Sequence, residues 1–122
     1  MLLITKRSLN RLAAPYREAD MLMCHAIPQH MTTPSTRAIL LMNEQKLVVV
    51  FLNLFLTRVV HTEQLALTEL QGQKFKSGVG LAAVWSFQAK GANWRFQIMW
   101  TMLTLGSMQR DFLEFLQAHI VD

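Results

Sequence analysis

The last third of the chain constrains the fold most. Residues 81–89 and 94–100 read as two amphipathic strands joined by the turn Lys90-Gly91-Ala92-Asn93. In the first strand, Ala83, Trp85 and Phe87 share one face, and Val84 and Ser86 the other. In the second, Trp94, Phe96, Ile98 and Trp100 alternate with Arg95, Gln97 and Met99. Successive strand side chains point to opposite faces, so each strand has one face to bury. Gly91 supplies the positive φ that a tight hairpin needs. One helix follows, over 107–121, with Met108, Phe112, Phe115, Leu116 and Ile120 as its apolar stripe. Gln109, Arg110, Glu114 and Gln117 are expected to face water. Ser107 is placed to cap this helix, and Asp111 stands in its first turn, where a negative charge is favoured. Strands followed by a single closing helix make the layout of a small barrel plugged at one end.

Upstream, strands are expected over 21–27, 37–42, 46–52, 57–61 and 65–76. Pro28 should stop the first, and 29–36 is a loop rich in Thr, Ser and Pro. Asn43-Glu44-Gln45 has the length of a three-residue hairpin loop. A helix over 63–70 competes with the fifth strand, because Glu, Gln, Leu and Ala form helices well. Near the N-terminus, Ile4, Leu9, Leu12, Ala13 and Tyr16 recur at helical spacing, and Pro15 ends or kinks that helix. The expected organisation is one domain over 1–122, with a helical segment at 1–19, strands at 20–105 and a helix at 106–121.

Ile39-Leu40-Leu41 and Val48-Val49-Val50-Phe51 are apolar on both faces, so they need cover on both sides. With 52% hydrophobic and 16% charged residues, the chain carries more apolar surface than a small monomer hides with ease. A homo-oligomer or a protein partner is the expected cover. The net charge of +4 permits attraction to phosphates or anionic lipids without requiring it. Cys24 is the lone cysteine, which excludes an internal disulfide and suits a reducing cytoplasm. Met1-Leu2-Leu3-Ile4 is too short for a signal peptide, and Lys6-Arg7 follow it rather than precede it. The longest apolar run, 47–56, is broken by Asn53 and falls short of the ~20 residues a membrane-spanning helix needs.

Few residues suggest chemistry. His25, His30, His61 and His119 lack the short spacing that gathers metal ligands on one turn, so neither a metal nor a cofactor is expected. Cys24 and His25 are adjacent and hence point to opposite strand faces, which argues against a nucleophile–base pair. No paired carboxylate, triad or phosphate loop stands out, and an enzyme is not expected. Trp94 and Trp100, with Lys74 and Lys76 on one face of the fifth strand, form a candidate interaction surface. Lys6, Arg7, Arg11 and Arg17 on the N-terminal helix, with Leu2, Leu3 and Ile4, form a candidate membrane-facing surface. Nucleic acid is disfavoured: Trp94-Arg95-Phe96 is the single aromatic-basic run, and strand alternation buries its aromatics.

Seven strands and a C-terminal helix resemble the pleckstrin-homology superfold in its bacterial PH-like branch. The residues that carry the likeness are the hairpin Leu41-Met42-Asn43-Glu44-Gln45-Lys46-Leu47-Val48-Val49, the connection around His61-Thr62-Glu63-Gln64-Leu65, the strand 94–98 and the helix 112–120. The resemblance implies an α+β fold: a PH-like antiparallel barrel of about seven strands closed by a C-terminal helix, with a short N-terminal helix added. It also implies a binding scaffold rather than a catalyst. The first strand, 21–27, carries no Lys or Arg, which speaks against phosphoinositide binding. The expected function is a non-enzymatic interaction domain that self-associates or docks a protein partner. The alternative is peripheral binding to an anionic membrane through the N-terminal helix.

Overall fold

Apolar alternation resolves into seven antiparallel strands flanked by two helices. In chain order these are α1 (Lys6–Ala13), β1 (Leu22–Pro28), β2 (Arg37–Met42), β3 (Lys46–Leu52), β4 (Val59–Ala66), a 3-10 turn (Leu67–Glu69), β5 (Gln71–Ser77), β6 (Ala82–Ala89), β7 (Ala92–Met99) and α2 (Met108–His119). This computed structural model describes residues 4–29, 31, 35–77 and 80–119; Leu2, Leu3, His30 and Ile120 of the sequence expectations lie outside them.

The strands form one sheet in the order β4-β3-β2-β1-β7-β6-β5. β4 and β5 are its two edges and do not pair, so the sheet is open and the expected closed barrel is corrected. The chain leaves β4 through the 3-10 turn, whose Leu67 N–H donates to the Gln45 carbonyl (2.9 Å), and so never brings the two edges into register. A second opening lies inside the sheet. β1 pairs with β2 from Leu22 to Ala26, but meets β7 only at Ile27 and Pro28.

Two apolar clusters use the two faces. Leu40, Val49, Leu65, Trp85 and Phe96 fill the inner face, with Phe112, Leu113 and Leu116 of α2. Ile39, Leu41, Val48, Val50 and Leu52 form the outer face of β2 and β3, covered by Leu9 and Ala13 of α1 and by Leu105 and Met108. The two-sided strands therefore find their second cover within the chain. Each fully buried Leu, Ile or Phe contributes about 1.5–3 kcal/mol.

Several boundaries differ from expectation for identifiable reasons. Pro28 ends β1 from inside, opposite Phe96, a final position where its missing N–H costs no interior ladder bond. β4 starts at Val59 rather than at 57 because the Asn53 side chain captures the backbone N–H groups of Thr57 (2.8 Å) and Arg58 (3.0 Å). Of the competing helix at 63–70, only the turn Leu67–Glu69 forms, and β5 begins after it. The last hairpin tightens to the two residues Lys90 (φ 51°) and Gly91 (φ 72°), and Ala89 pairs with Ala92. α1 is short, starting from a Thr5–Ser8 capping box and ending before Pro15.

The largest correction concerns Gln109. It does not face water but is fully buried. Its Oε1 accepts the His25 N–H (2.7 Å), and its Nε2 donates to the carbonyls of His25 (2.9 Å) and Met99 (3.1 Å). One side-chain amide thus takes the place of the backbone partner that β1 lacks where β7 diverges from it.

Candidate interaction groove

The open side of the sheet contains a groove of about 430 Å³. Its construction starts at Asn43, whose Oδ1 accepts the N–H groups of Gln45 and Lys46 (2.9 Å each) and shapes the β2–β3 turn. Glu69 Oε1 accepts the Ala66 N–H (2.9 Å) and fixes the entry to the 3-10 turn. At β5 the register shifts between Gln71 and Lys74, a bulge at which Gly72 takes a positive φ of 60°. The Trp85 Nε1–H then donates to Gln73 Oε1 (3.2 Å) and holds that amide on the inner side.

Met42, Leu67, Leu70, Trp85 and Leu116 give the groove an apolar lining, and Glu44, Thr68, Gln73 and His119 its polar share. His119 stacks on Phe115 (4.0 Å between ring centroids), and its Nε2 lies 3.6 Å from a Glu44 carboxylate oxygen. α2 packs chiefly on β1 and β7, leaving space between itself and β5. Among the described residues, the outward backbone groups of β5 have no strand partner. An apolar lining with a few fixed polar groups thus lies beside the free edge of β5.

The candidate surface residues separate in space. Trp94 leaves the surface: alternation turns it inward, stacked on Phe87 (interplanar angle 9°), with its Nε1–H donating to the Ala89 carbonyl (3.0 Å). Trp100 is half-buried, edge-on to Phe75, with its Nε1–H donating to Ser77 Oγ (3.1 Å). Lys74 and Lys76 are exposed on the outer side of β5. On α1, Lys6, Arg7 and Arg11 are exposed; Arg17 lies beyond the end of α1, also exposed, and donates to the Met21 carbonyl and Asn10 Oδ1 (2.9 Å each). Ile4, Leu9, Leu12 and Ala13 pack on the chain's own sheet, so the apolar side of this helix is already covered.

The titratable groups fall into separate settings. Cys24 is fully buried, and burial pushes its thiol well above the ordinary range. His25 is buried with its Nε2 unpartnered; burial first, and the Arg37 charge second, depress its pKa to about 4. Glu63 is held below the usual carboxylate range chiefly by its hydrogen bond to His61 (2.5 Å), with Lys90 3.4 Å away. Among the described residues, no group of three or more His, Cys, Asp or Glu side chains is placed to hold a metal ion. No helix among them is long and apolar enough to cross a membrane.

Two features were missed in the sequence. The groove depends on β5 being an edge, which strand spacing does not reveal. The other is the turn between β3 and β4, which presents Leu54 (71% exposed) and Phe55 (62%) to solvent, with Val60 near the start of β4 also exposed.

No family model matches the chain, and no curated protein is similar to it in sequence at a meaningful level. Among solved structures it is similar to the hSac2 domain from human phosphoinositide phosphatase Sac2, at a TM-score of 0.47 and 11% identity, over 96% of this chain and 82% of that one. At that distance the likeness carries no weight for function.

Proposed function

We propose that this chain is a non-enzymatic, PH-like interaction domain that docks an extended segment of a protein partner along β5. The observation that carries the proposal is the free β5 edge lying beside the groove. Added strands gain affinity from main-chain hydrogen bonds and specificity from pockets that take alternate side chains. Seven antiparallel strands followed by one closing helix support the PH-like reading. The rim pair Glu44 and His119 is solvent-facing, unlike an acid–base pair enclosed in a cleft.

The test is selection of random linear peptides against the whole chain, followed by amide chemical-shift mapping. Shifts confined to β5, the 3-10 turn and the end of α2 are the expected result. Thr68→Trp fills the groove from an exposed position and should abolish binding. Peptides that map elsewhere, or bind T68W equally well, refute the proposal.

Self-association is a second reading, favoured by the exposed side chains Leu54 and Phe55 of the β3–β4 turn and Val60 near the start of β4. It uses a different part of the surface from the groove.

A further inference from the structure

Alternation along β5 sets two unlike sides. Phe75 pairs with the buried Trp85 and so faces inward with Gln73, whereas Lys74 pairs with Ser86 and Lys76 with Val84 on the outer face. Ser86 in turn pairs with Arg95, so Lys74, Ser86 and Arg95 form one row across three strands. Gln88, Asn93 and Gln97 belong to the same outer face, and no carboxylate of β5, β6 or β7 accompanies them. Neither Lys74 nor Lys76 has a carboxylate partner among the described residues. The sheet therefore ends, at its free edge, in two unpaired ammonium groups spaced two residues apart.

From this juxtaposition we infer that the segment docked on β5 alternates acidic and apolar residues, with a carboxylate opposite each of Lys74 and Lys76. The inference rests on the strand-docking reading above and names the chemistry of its partner. An added strand continues the pleat, so its residues opposite Lys74 and Lys76 are also two apart and share the outer side. Directly opposed side chains lie about 4.5–5.5 Å apart at Cβ, within reach of an ion pair. The residue between them, opposite Phe75, turns inward, as does the next one along, opposite Gln73 at the apolar groove. A second copy of β5 is a poor occupant, since antiparallel self-pairing brings lysines against lysines, a device by which edge strands avoid each other. β4 of a second copy is no better: its acidic residue, Glu63, is already engaged by His61 and Lys90.

The experiment compares peptide selections against the wild-type chain and against the double variant Lys74→Glu/Lys76→Glu. Both positions are exposed, so the double variant should keep its fold, checked by an unchanged melting curve. Wild type should enrich Asp or Glu at two positions two apart, with one apolar residue between them. The double variant should enrich Lys or Arg at that spacing. Two cross-strand charge pairs predict a loss of roughly 3- to 10-fold in affinity when a wild-type-selected peptide is offered to the double variant, and a weaker interaction at high salt. Peptides that map to β5 without acidic spacing, or bind both proteins alike, overturn this inference and leave strand docking standing. Peptides that do not map to β5 overturn both. Sedimentation with phosphatidylserine vesicles that depends on the two lysines, without acidic enrichment in the selection, assigns them to a lipid surface and also overturns the inference.

Discussion

Replacing Gln109 with Leu tests the join between β1 and β7. Leu is close in volume to Gln and keeps helix propensity, so the change isolates the amide. Three hydrogen bonds disappear, to the His25 N–H, the His25 carbonyl and the Met99 carbonyl. Their loss strands buried backbone groups, at about 1–3 kcal/mol each, while the added apolar surface returns part of that. A net destabilisation of roughly 3–5 kcal/mol follows. For a chain of this size, 1 kcal/mol moves the melting temperature by about 3–5 °C, so Gln109→Leu should melt about 10–20 °C lower. Gln109→Glu should be worse at neutral pH, because it sets a buried carboxylate against two carbonyl oxygens. Arg110→Leu, one residue along on the exposed side of α2, should stay within about 0.5 kcal/mol of wild type. Thermal and urea denaturation of the three variants measure this. A Gln109→Leu curve within about 2 °C of wild type would refute the reasoning, since it would mean that β1 needs no side-chain partner at that gap.

Phe112 is fully buried between α2 and the sheet, so Phe112→Ala should cost about 3–5 kcal/mol in denaturant unfolding; no change would remove α2 from the core. His25 is neutral in the fold, with a pKa near 4 against an ordinary 6.5. The unfolded chain therefore binds the extra proton between these values, and stability is lost as pH falls from about 6.5 to 4, by roughly 3 kcal/mol. His25→Leu should flatten that slope in melts across the window, and an unchanged slope would clear His25 of the effect. Cys24 should resist a thiol reagent at mild alkaline pH until the chain unfolds, because its thiol is buried and its pKa raised; rapid native labelling would contradict its burial. Phe55→Asp should leave stability within about 0.5 kcal/mol while lowering any mass excess seen by light scattering; an oligomer that persists would place self-association elsewhere.

The legible parts of the fold are those set by local rules. β2 and β3 could be bounded to the residue because Asn43 forms its turn with neighbours and both strands are bracketed by polar residues. The β6–β7 hairpin was visible in its alternation, although Lys90 accepts a left-handed φ and shortens the turn. β4 and β5 were misplaced where a side chain overrode propensity: Asn53 seizes Thr57 and Arg58, and Glu69 caps the turn between the two strands. Gln109 illustrates a subtler limit. Its neighbour at i+4, Leu113, is apolar and buried, which widens the stripe of α2 to include position 109. Polarity alone sent Gln109 to the solvent side. Of the proposed surfaces, Lys74 and Lys76 could be placed on one face from sequence, whereas the groove beside them follows from which strands are left unpaired.

The union of β1 with β7 and Gln109 also sets a timetable. β1 to β4 and β5 to β7 are each runs of neighbouring hairpins whose contacts are close in sequence. Joining them requires contacts such as His25 with Gln109, 84 positions apart, and loop-closure entropy must be overcome before such contacts repay it. The two meanders can thus form early, while the joint between them forms late and limits the refolding rate. Substitutions at Gln109 should then slow folding, with the rest of the lost stability appearing as faster unfolding. Until that joint closes, both halves hold their inner apolar faces open to water, and in that interval the chain is most exposed to aggregation.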